Sequence, residues 1–164
     1  MMKKKSLIIF VLVFISLVSL AASAAVAARF AISGTELELT VVDKATSLEW
    51  QQKSSSDSAV KWKDALAHCE TLVFAGHNDW RLPSIVELMT IVDEKKETSP
   101  AINTVFFVDF LAHGYWTSTT ARTTYSAAYV VYFNEFNTQV GRGGVDALLK
   151  TSSVQALCVR NAGQ

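Results

Sequence analysis

The most regular pattern of apolar residues lies between positions 62 and 73. Apolar side chains recur there at the i, i+3, i+4 and i+7 spacing of one helix face, and charged residues fill other positions. The apolar set is Trp62, Ala65, Leu66, Cys69, Leu72 and Val73. We expect Gly76 to end this helix in a left-handed cap. Because Cys69 belongs to the apolar face, its bonding partner is expected to come from the core sheet.

A second helix is predicted to begin at Ser84. Glu87 follows three residues later, which is the spacing of a capping box: the Ser84 hydroxyl accepts from the Glu87 amide, and the carboxylate accepts from the Ser84 amide. Pro83, directly ahead, disfavours helical backbone in the residue before it. The predicted buried stripe is Ile85, Leu88, Met89 and Val92. Pro83, Ser84 and Glu87 therefore have a structural explanation that requires no ligand.

The residues just before this helix, Trp80 and Arg81, allow two interpretations. The structural one buries Trp80 beside the first helix and pairs Arg81 with a carboxylate or with capping carbonyls. The functional one makes them an aromatic and guanidinium platform for a sugar. Oxygen ligands for calcium are also present nearby in Asn78, Asp79 and Glu87, but the triplets typical of calcium-dependent lectins are absent. We therefore predict a structural role and no metal.

Alternating and β-branched segments predict strands on both sides of the two helices. The predicted strands are residues 38–42, 48–51, 115–119, 127–133 and 154–160. This order predicts an α+β fold in which two helices pack on antiparallel sheet, with the N-terminal and C-terminal strands adjacent in one sheet.

The N-terminal segment has the composition of a secretory signal peptide. Three lysines, Lys3 to Lys5, precede an apolar run from Leu7 to Leu20 and a stretch of small residues. We predict a signal peptide at residues 1–27 and one domain at residues 28–164. A retained membrane anchor is the alternative, since residues 7–28 carry no charge. A membrane is expected as a partner only in that case, and the predicted location is the periplasm, the cell surface or the medium.

The charge balance disfavours nucleic acid as a partner. The chain has 15 basic and 15 acidic residues, so removal of the three signal lysines leaves 12 against 15, a net charge of about −3. Binding to phosphate backbones needs a clustered basic surface, which such a domain does not supply.

The two cysteines, Cys69 and Cys158, are predicted to form one disulfide, because both lie in the exported part. A metal site would need further ligands. A catalytic pair of thiols would require that the two cysteines stay unbridged. The three histidines have no spacing typical of a metal site, and no motif of a hydrolase or nucleotide-binding enzyme is present. We predict no cofactor.

Candidate ligand-binding residues lie in the loops of the C-terminal half, because binding residues concentrate in loops on rigid scaffolds. Trp116 is included because its alternating segment can face a loop-lined surface. The candidates are Trp116, Arg122, Tyr125, Asn134, Asn137 and Arg142.

Several segments together resemble a known family. They include E-L-T-V-V-D-K-A-T-S-L-E-W-Q-Q, W-K-D-A-L-A-H-C-E-T-L, A-G-H-N-D-W-R-L-P-S-I-V-E-L, Y-W-T-S-T-T and C-V-R, in that order. The chain resembles the Lcl C-terminal domain family of exported bacterial proteins from about residue 38 to residue 160. That family is similar to the C-type-lectin-like superfold, in which a disulfide commonly joins the first helix to the last strand.

The resemblance implies an exported, non-catalytic binding or adhesion module of the cell envelope, with a glycan or an envelope protein as partner. A collagen-like adhesin of the family forms trimers and binds sulfated glycosaminoglycans, so a homotrimer is an expectation. This chain has no collagen-like repeat and a slightly negative mature charge. Two alternatives remain: a relative of the formylglycine-generating oxidoreductases, which share the superfold, and a structural envelope component without a small ligand.

Overall fold

The structure, a computed structural model, describes residues 29–54, 59–111, 113–134 and 143–163. The predicted signal peptide, residues 1–27, lies outside the described residues. In the described part there are two helices, and neither is long and apolar enough to cross a lipid bilayer. They are α1, Trp62–Thr71, and α2, Ile85–Thr90.

Nine short strands accompany the helices within the described ranges. The first four precede or adjoin α1, and the other five follow α2. They are β1 (Phe30–Gly34), β2 (Leu39–Asp43), β3 (Leu48–Gln51), β4 (Val60–Lys61), β5 (Gly114–Thr120), β6 (Ala127–Tyr132), β7 (Val145–Leu149), β8 (Ser153–Val154) and β9 (Val159–Asn161).

The strands form three antiparallel sheets. One has four strands in the order β1-β2-β3-β9, the second pairs β4 with β8, and the third has the order β5-β6-β7. The register of the largest sheet aligns Val41 with Trp50, and Trp50 with Val159. The last strand thus lies beside the N-terminal hairpin, which confirms the predicted α+β fold and the predicted adjacency of terminal strands.

Residues of β5 and β6 belong alternately to two apolar clusters. Tyr115 and Val131 belong to a core shared with α2 and the four-stranded sheet, whereas Trp116 and Val130 belong to a core shared with α1. A strand buried on both faces needs an almost continuous apolar sequence, since successive side chains point to opposite faces. This requirement explains the run A-A-Y-V-V-Y-F at residues 127–133.

The predicted disulfide is present between α1 and the C-terminal segment. Cys69 and Cys158 are joined with a Cα–Cα distance of 5.5 Å, and neither residue is exposed to solvent. Both cysteines of the chain are therefore engaged, and the predicted disulfide is confirmed. A structural disulfide is typical of a non-cytoplasmic environment.

The structure corrects the predicted end of the first helix. α1 ends at Thr71, and Val73 is 73% exposed instead of buried. Gly76 does adopt a left-handed backbone, with φ 77°, but it does so beside Ala75 (φ 52°) in a tight turn after the helix. The turn is closed by hydrogen bonds in both directions between Phe74 and His77. Positive φ at both central positions is typical of a two-residue hairpin turn, so the glycine serves the turn and not a helix cap.

Further strands differ from the predictions. The strand predicted at residues 154–160 is interrupted between β8 and β9, because this segment changes partners: Gln155 bonds with β5, and Cys158 bonds with Gln51 of β3. β4 and β7 were not predicted, and neither was β1. Its start is anchored by Arg29, whose guanidinium donates to the Asp43 carboxylate at 3.0 and 2.7 Å.

Candidate functional site

The motif between Trp80 and Glu87 has the structural role that its sequence predicts. Trp80 is 2% exposed and packs in the core beside α1. Arg81 donates two hydrogen bonds to the Glu87 carboxylate, at 2.9 and 2.6 Å. The Pro83 carbonyl accepts from the Ser118 amide at 2.8 Å, which joins the start of α2 to β5. The motif therefore joins the N-terminus of α2 to β5.

Both bonds of the predicted capping box are present at the start of α2. The Ser84 hydroxyl accepts from the Glu87 amide at 3.3 Å, and the Glu87 carboxylate accepts from the Ser84 amide at 2.8 Å.

We expect Ser84→Ala to lower the free energy of unfolding by about 1 kcal/mol, since an orphan amide loses its acceptor. Urea denaturation measures this change. Ser33→Ala, at an exposed position of β1, is the matched control and should have almost no effect. Equal stability of the two variants would contradict the capping assignment.

The same site makes stability depend on pH. The hydrogen bonds from Arg81 are the largest influence on Glu87 and lower the pKa of its carboxyl from 4.5 to about 2. A carboxyl with a lowered pKa in the folded state stabilises the protein fully above its unfolded pKa and loses that contribution as pH falls. We therefore expect the stability difference between the protein and Glu87→Gln to be constant above about pH 5 and to shrink toward pH 2. Urea unfolding at several pH values measures it, and a pH-independent difference would contradict the pairing.

A second ionic cluster, not predicted from the sequence, holds the C-terminal strand. Arg160 is 1% exposed and donates from Nη1 to Glu49 Oε2 at 2.5 Å and from Nε to Asp79 Oδ1 at 2.7 Å. The Thr40 hydroxyl donates to the other Glu49 oxygen at 2.6 Å. The bond from Arg160 lowers the pKa of the Asp79 carboxyl. Asp79 is thereby used in an ion pair, which argues against the calcium interpretation of this segment.

Those of the predicted binding residues that the structure describes do not form one site. Arg122 and Tyr125 lie in the turn between β5 and β6, where Tyr125 is 92% exposed. Asn134 lines a separate depression of about 350 Å³, together with His113 and Tyr132. Asn137 and Arg142 lie outside the described residues.

The surface position predicted for Trp116 is corrected by the structure. Its side chain is fully buried, and the indole nitrogen donates to the Val60 carbonyl at 2.8 Å. The residue lies on a strand that is covered on both faces, so every side chain near its start is inside the protein. Trp116 is therefore a core residue and offers no surface to a ligand.

A concave site in the described part of the chain was not predicted from the sequence. It is a cleft of about 500 Å³, within the range of about 300–1,000 Å³ that is common for small-ligand sites. Three elements form it: the turn between β1 and β2, the end of β3, and the last turn of α1 with the residue Phe74. Its described lining is Glu36, Leu37, Leu39, Gln51, Gln52, Lys53, Ser54, His68, Leu72 and Phe74.

The walls of the cleft are fixed to each other by hydrogen bonds. Glu38, in the β1–β2 turn, accepts from the Ala75 amide at 2.8 Å, which joins this turn to the turn after α1. Gln51 accepts from the Cys158 amide at 2.9 Å, next to the disulfide. The Phe74 ring packs edge-on against Trp80, with 5.9 Å between ring centroids. The cleft therefore exists on a rigid part of the scaffold and needs little reorganisation to bind a ligand.

His68 gives the cleft its most distinctive polar group. The side-chain atom Nε2 is buried and has no hydrogen-bond partner in the described part of the chain. Buried polar atoms in proteins are nearly always paired, so an unpaired one invites a functional explanation. The sequence alone predicts a surface or hydrogen-bonded histidine at His68, because the residue lies off the main apolar stripe of α1 and the sequence does not show what covers it.

Among the described residues, no group of three or more histidine, cysteine, aspartate or glutamate side chains is placed to hold a metal ion.

Fold, disulfide and cleft together define a single α+β domain with a preformed concave site. The sequence model of the Lcl C-terminal domain family matches residues 39–160, which is most of the chain. The protein therefore belongs to the Lcl C-terminal domain family. A search of curated proteins finds no match to this chain.

Proposed function

We propose that the protein is an exported, non-catalytic binding or adhesion module of the bacterial cell envelope, which recognises a glycan or an envelope protein. Family membership and the buried disulfide support this proposal. The N-terminal signal-like segment supports export, because its charge and apolar run are typical of secreted proteins.

The cleft is the observation that carries the proposal. It combines apolar side chains such as Leu72 and Phe74 with amide, hydroxyl and imidazole groups, and its walls are held together by hydrogen bonds. A concave site with a few placed polar groups on an apolar base is the usual form of a ligand site. The exposed Tyr125 and Arg122 in the β5–β6 turn offer a second surface for a larger partner.

The oxidoreductase alternative is disfavoured by the state of the cysteines. Chemistry of the formylglycine-generating type needs two thiolates to bind copper, whereas Cys69 and Cys158 are joined to each other and buried. A disulfide-bonded pair has no thiolate to offer a metal or a substrate.

A glycan array probed with the disulfide-bonded protein, together with an array of envelope protein fractions, tests the proposed function. We expect a saturable signal on one of the two arrays. A chromatographic mass measurement on the same sample shows whether the protein is a monomer or the trimer implied by its family. No signal on either array, with a large assembly by mass, would overturn the binding function in favour of a structural envelope component.

A further inference from the structure

We infer that the cleft beside α1 binds an uncharged oligosaccharide and that His68 contributes a hydrogen bond to one of its hydroxyl groups. This inference rests on the proposed binding function and names the ligand class and the site. It concerns neutral sugars, and its residues lie outside the loops of the C-terminal half.

The unpaired atom of His68 is the first reason. In a neutral imidazole, Nε2 either donates or accepts a hydrogen bond, depending on the tautomer. A hydroxyl group both donates and accepts, so it satisfies Nε2 in either tautomer. Nε2 has almost no accessible surface, so the His68 ring has to turn toward the cleft before one of the several hydroxyls of a sugar can pair this atom, which the described chain leaves unpaired.

The charges at the cleft disfavour an anionic ligand. The described lining contains one carboxylate, Glu36, and one ammonium group, Lys53. Lys53 is already paired with Asp109, with 2.8 Å between Nζ and the carboxylate oxygen. A sulfated or carboxylated sugar would therefore meet the Glu36 carboxylate, which has no cationic partner among the described residues, and a lysine that is already paired, so its negative charge would gain little there.

The remaining lining matches a molecule with an apolar face and a polar edge. Leu39, Leu72 and Phe74 supply apolar surface, while the exposed Glu36 and Lys53 supply polar groups. A pyranose ring has C–H groups on its faces and hydroxyls around its edge. The cleft therefore offers complementary groups to both parts of a sugar ring.

A peptide fits the cleft less well. Peptides gain much of their affinity for sheet edges from main-chain hydrogen bonds. At the end of β3 two of those groups are used: the Gln52 amide donates to the Leu39 carbonyl at 3.2 Å, and the Gln51 amide donates to the Cys158 carbonyl at 3.2 Å. These two amides do not offer an open strand edge to a peptide, which favours a ligand that is recognised by side chains.

Isothermal titration of the disulfide-bonded protein with two neutral trisaccharides, maltotriose and triacetylchitotriose, tests the inference. A heparin tetrasaccharide and an uncharged hexapeptide of glycine, serine and asparagine serve as competing classes. We expect at least one trisaccharide to bind at millimolar concentration or better and to bind more tightly than the peptide or the heparin fragment. His68→Ala should weaken this binding by about fivefold or more, because one hydrogen bond is lost.

Two further variants keep the test decisive. Leu37→Ala changes a residue that lines the cleft but is 95% exposed, so it cannot harm the fold, and it should weaken trisaccharide binding even if His68→Ala does not fold. His113→Ala removes an exposed histidine outside the cleft and should leave binding unchanged.

Three results would overturn the inference: no binding of either trisaccharide, binding that Leu37→Ala and His68→Ala leave unchanged, or tighter binding of the peptide or heparin fragment. If the protein binds on the glycan or envelope-protein array, each of these three results would contradict only the inference and leave the broader binding function in place. The absence of a signal on both arrays would contradict the proposed binding function itself.

Discussion

Replacement of Arg160 by alanine is expected to lower the free energy of unfolding by about 3–5 kcal/mol, several times the effect expected of Ser84→Ala. Arg160 is 1% exposed and pairs with Glu49, which is 5% exposed, and with Asp79. Its removal leaves the Glu49 carboxylate buried with only the Thr40 hydroxyl as a described side-chain partner. An uncompensated buried charge is costly because the low-dielectric interior does not replace its hydration.

Equilibrium urea unfolding of both proteins measures this loss. Arg122→Ala is the matched control, since Arg122 is an exposed arginine outside the cluster, and its effect should stay within about 0.5 kcal/mol. A loss below about 1 kcal/mol for Arg160→Ala would show that the cluster is not formed as described.

Removal of the disulfide is expected to have a comparable effect. Cys69 and Cys158 are 89 residues apart, and closure of a loop of that length stabilises the folded state by about 4–5 kcal/mol on chain-entropy grounds. We expect Cys69→Ala combined with Cys158→Ala to lower the free energy of unfolding by about 2–5 kcal/mol, the range seen when native disulfides are removed. Total stabilities of domains are only about 5–15 kcal/mol, so this is a large share.

Urea denaturation with and without a thiol reductant separates the bond from the substitutions. The double variant should be insensitive to reductant, whereas the unsubstituted protein should fall to nearly the stability of the variant once it is reduced. If the reductant does not change the free energy of unfolding of the unsubstituted protein, the disulfide does not stabilise the domain.

Local features of the fold could be predicted because their causes are close together in the sequence. The capping box depends on Ser84 and Glu87, three residues apart, and the N-terminal hairpin depends on alternation within residues 38–51. The disulfide was predictable for another reason, because two cysteines behind a predicted signal peptide leave few alternatives. The short range of the signals explains why the prediction succeeded for the capping box and the hairpin.

Other features could not be predicted because they depend on contacts between distant residues. The Arg160 cluster forms only when β9 pairs with β3 and the segment at Asp79 meets them, a separation of 111 residues from Arg160 to Glu49. The burial of Trp116 depends on covering both faces of β5, which its alternating sequence does not reveal. The cleft is formed by a turn, the end of a strand and the end of a helix, which are far apart in the sequence. The sequence signal nearest to it is His68, a polar residue beside the apolar stripe of α1.

The disulfide also connects two walls of the cleft. Gln51 lines the cleft and is bonded through its backbone and side chain to Cys158, whose partner Cys69 follows His68 on α1. The bridge therefore holds two walls of the cleft at a fixed separation. Loss of the disulfide is expected to weaken ligand binding as well as stability.

Amide-resolved NMR of the disulfide-bonded protein, titrated with maltotriose and with triacetylchitotriose in turn, most directly tests whether this domain binds ligands at the cleft. We expect chemical shift changes that saturate and are largest at Gln51 to Ser54 and from His68 to Phe74. Changes confined to the β5–β6 turn at Arg122 to Tyr125, or no saturable change with either sugar, would contradict a ligand site at the cleft.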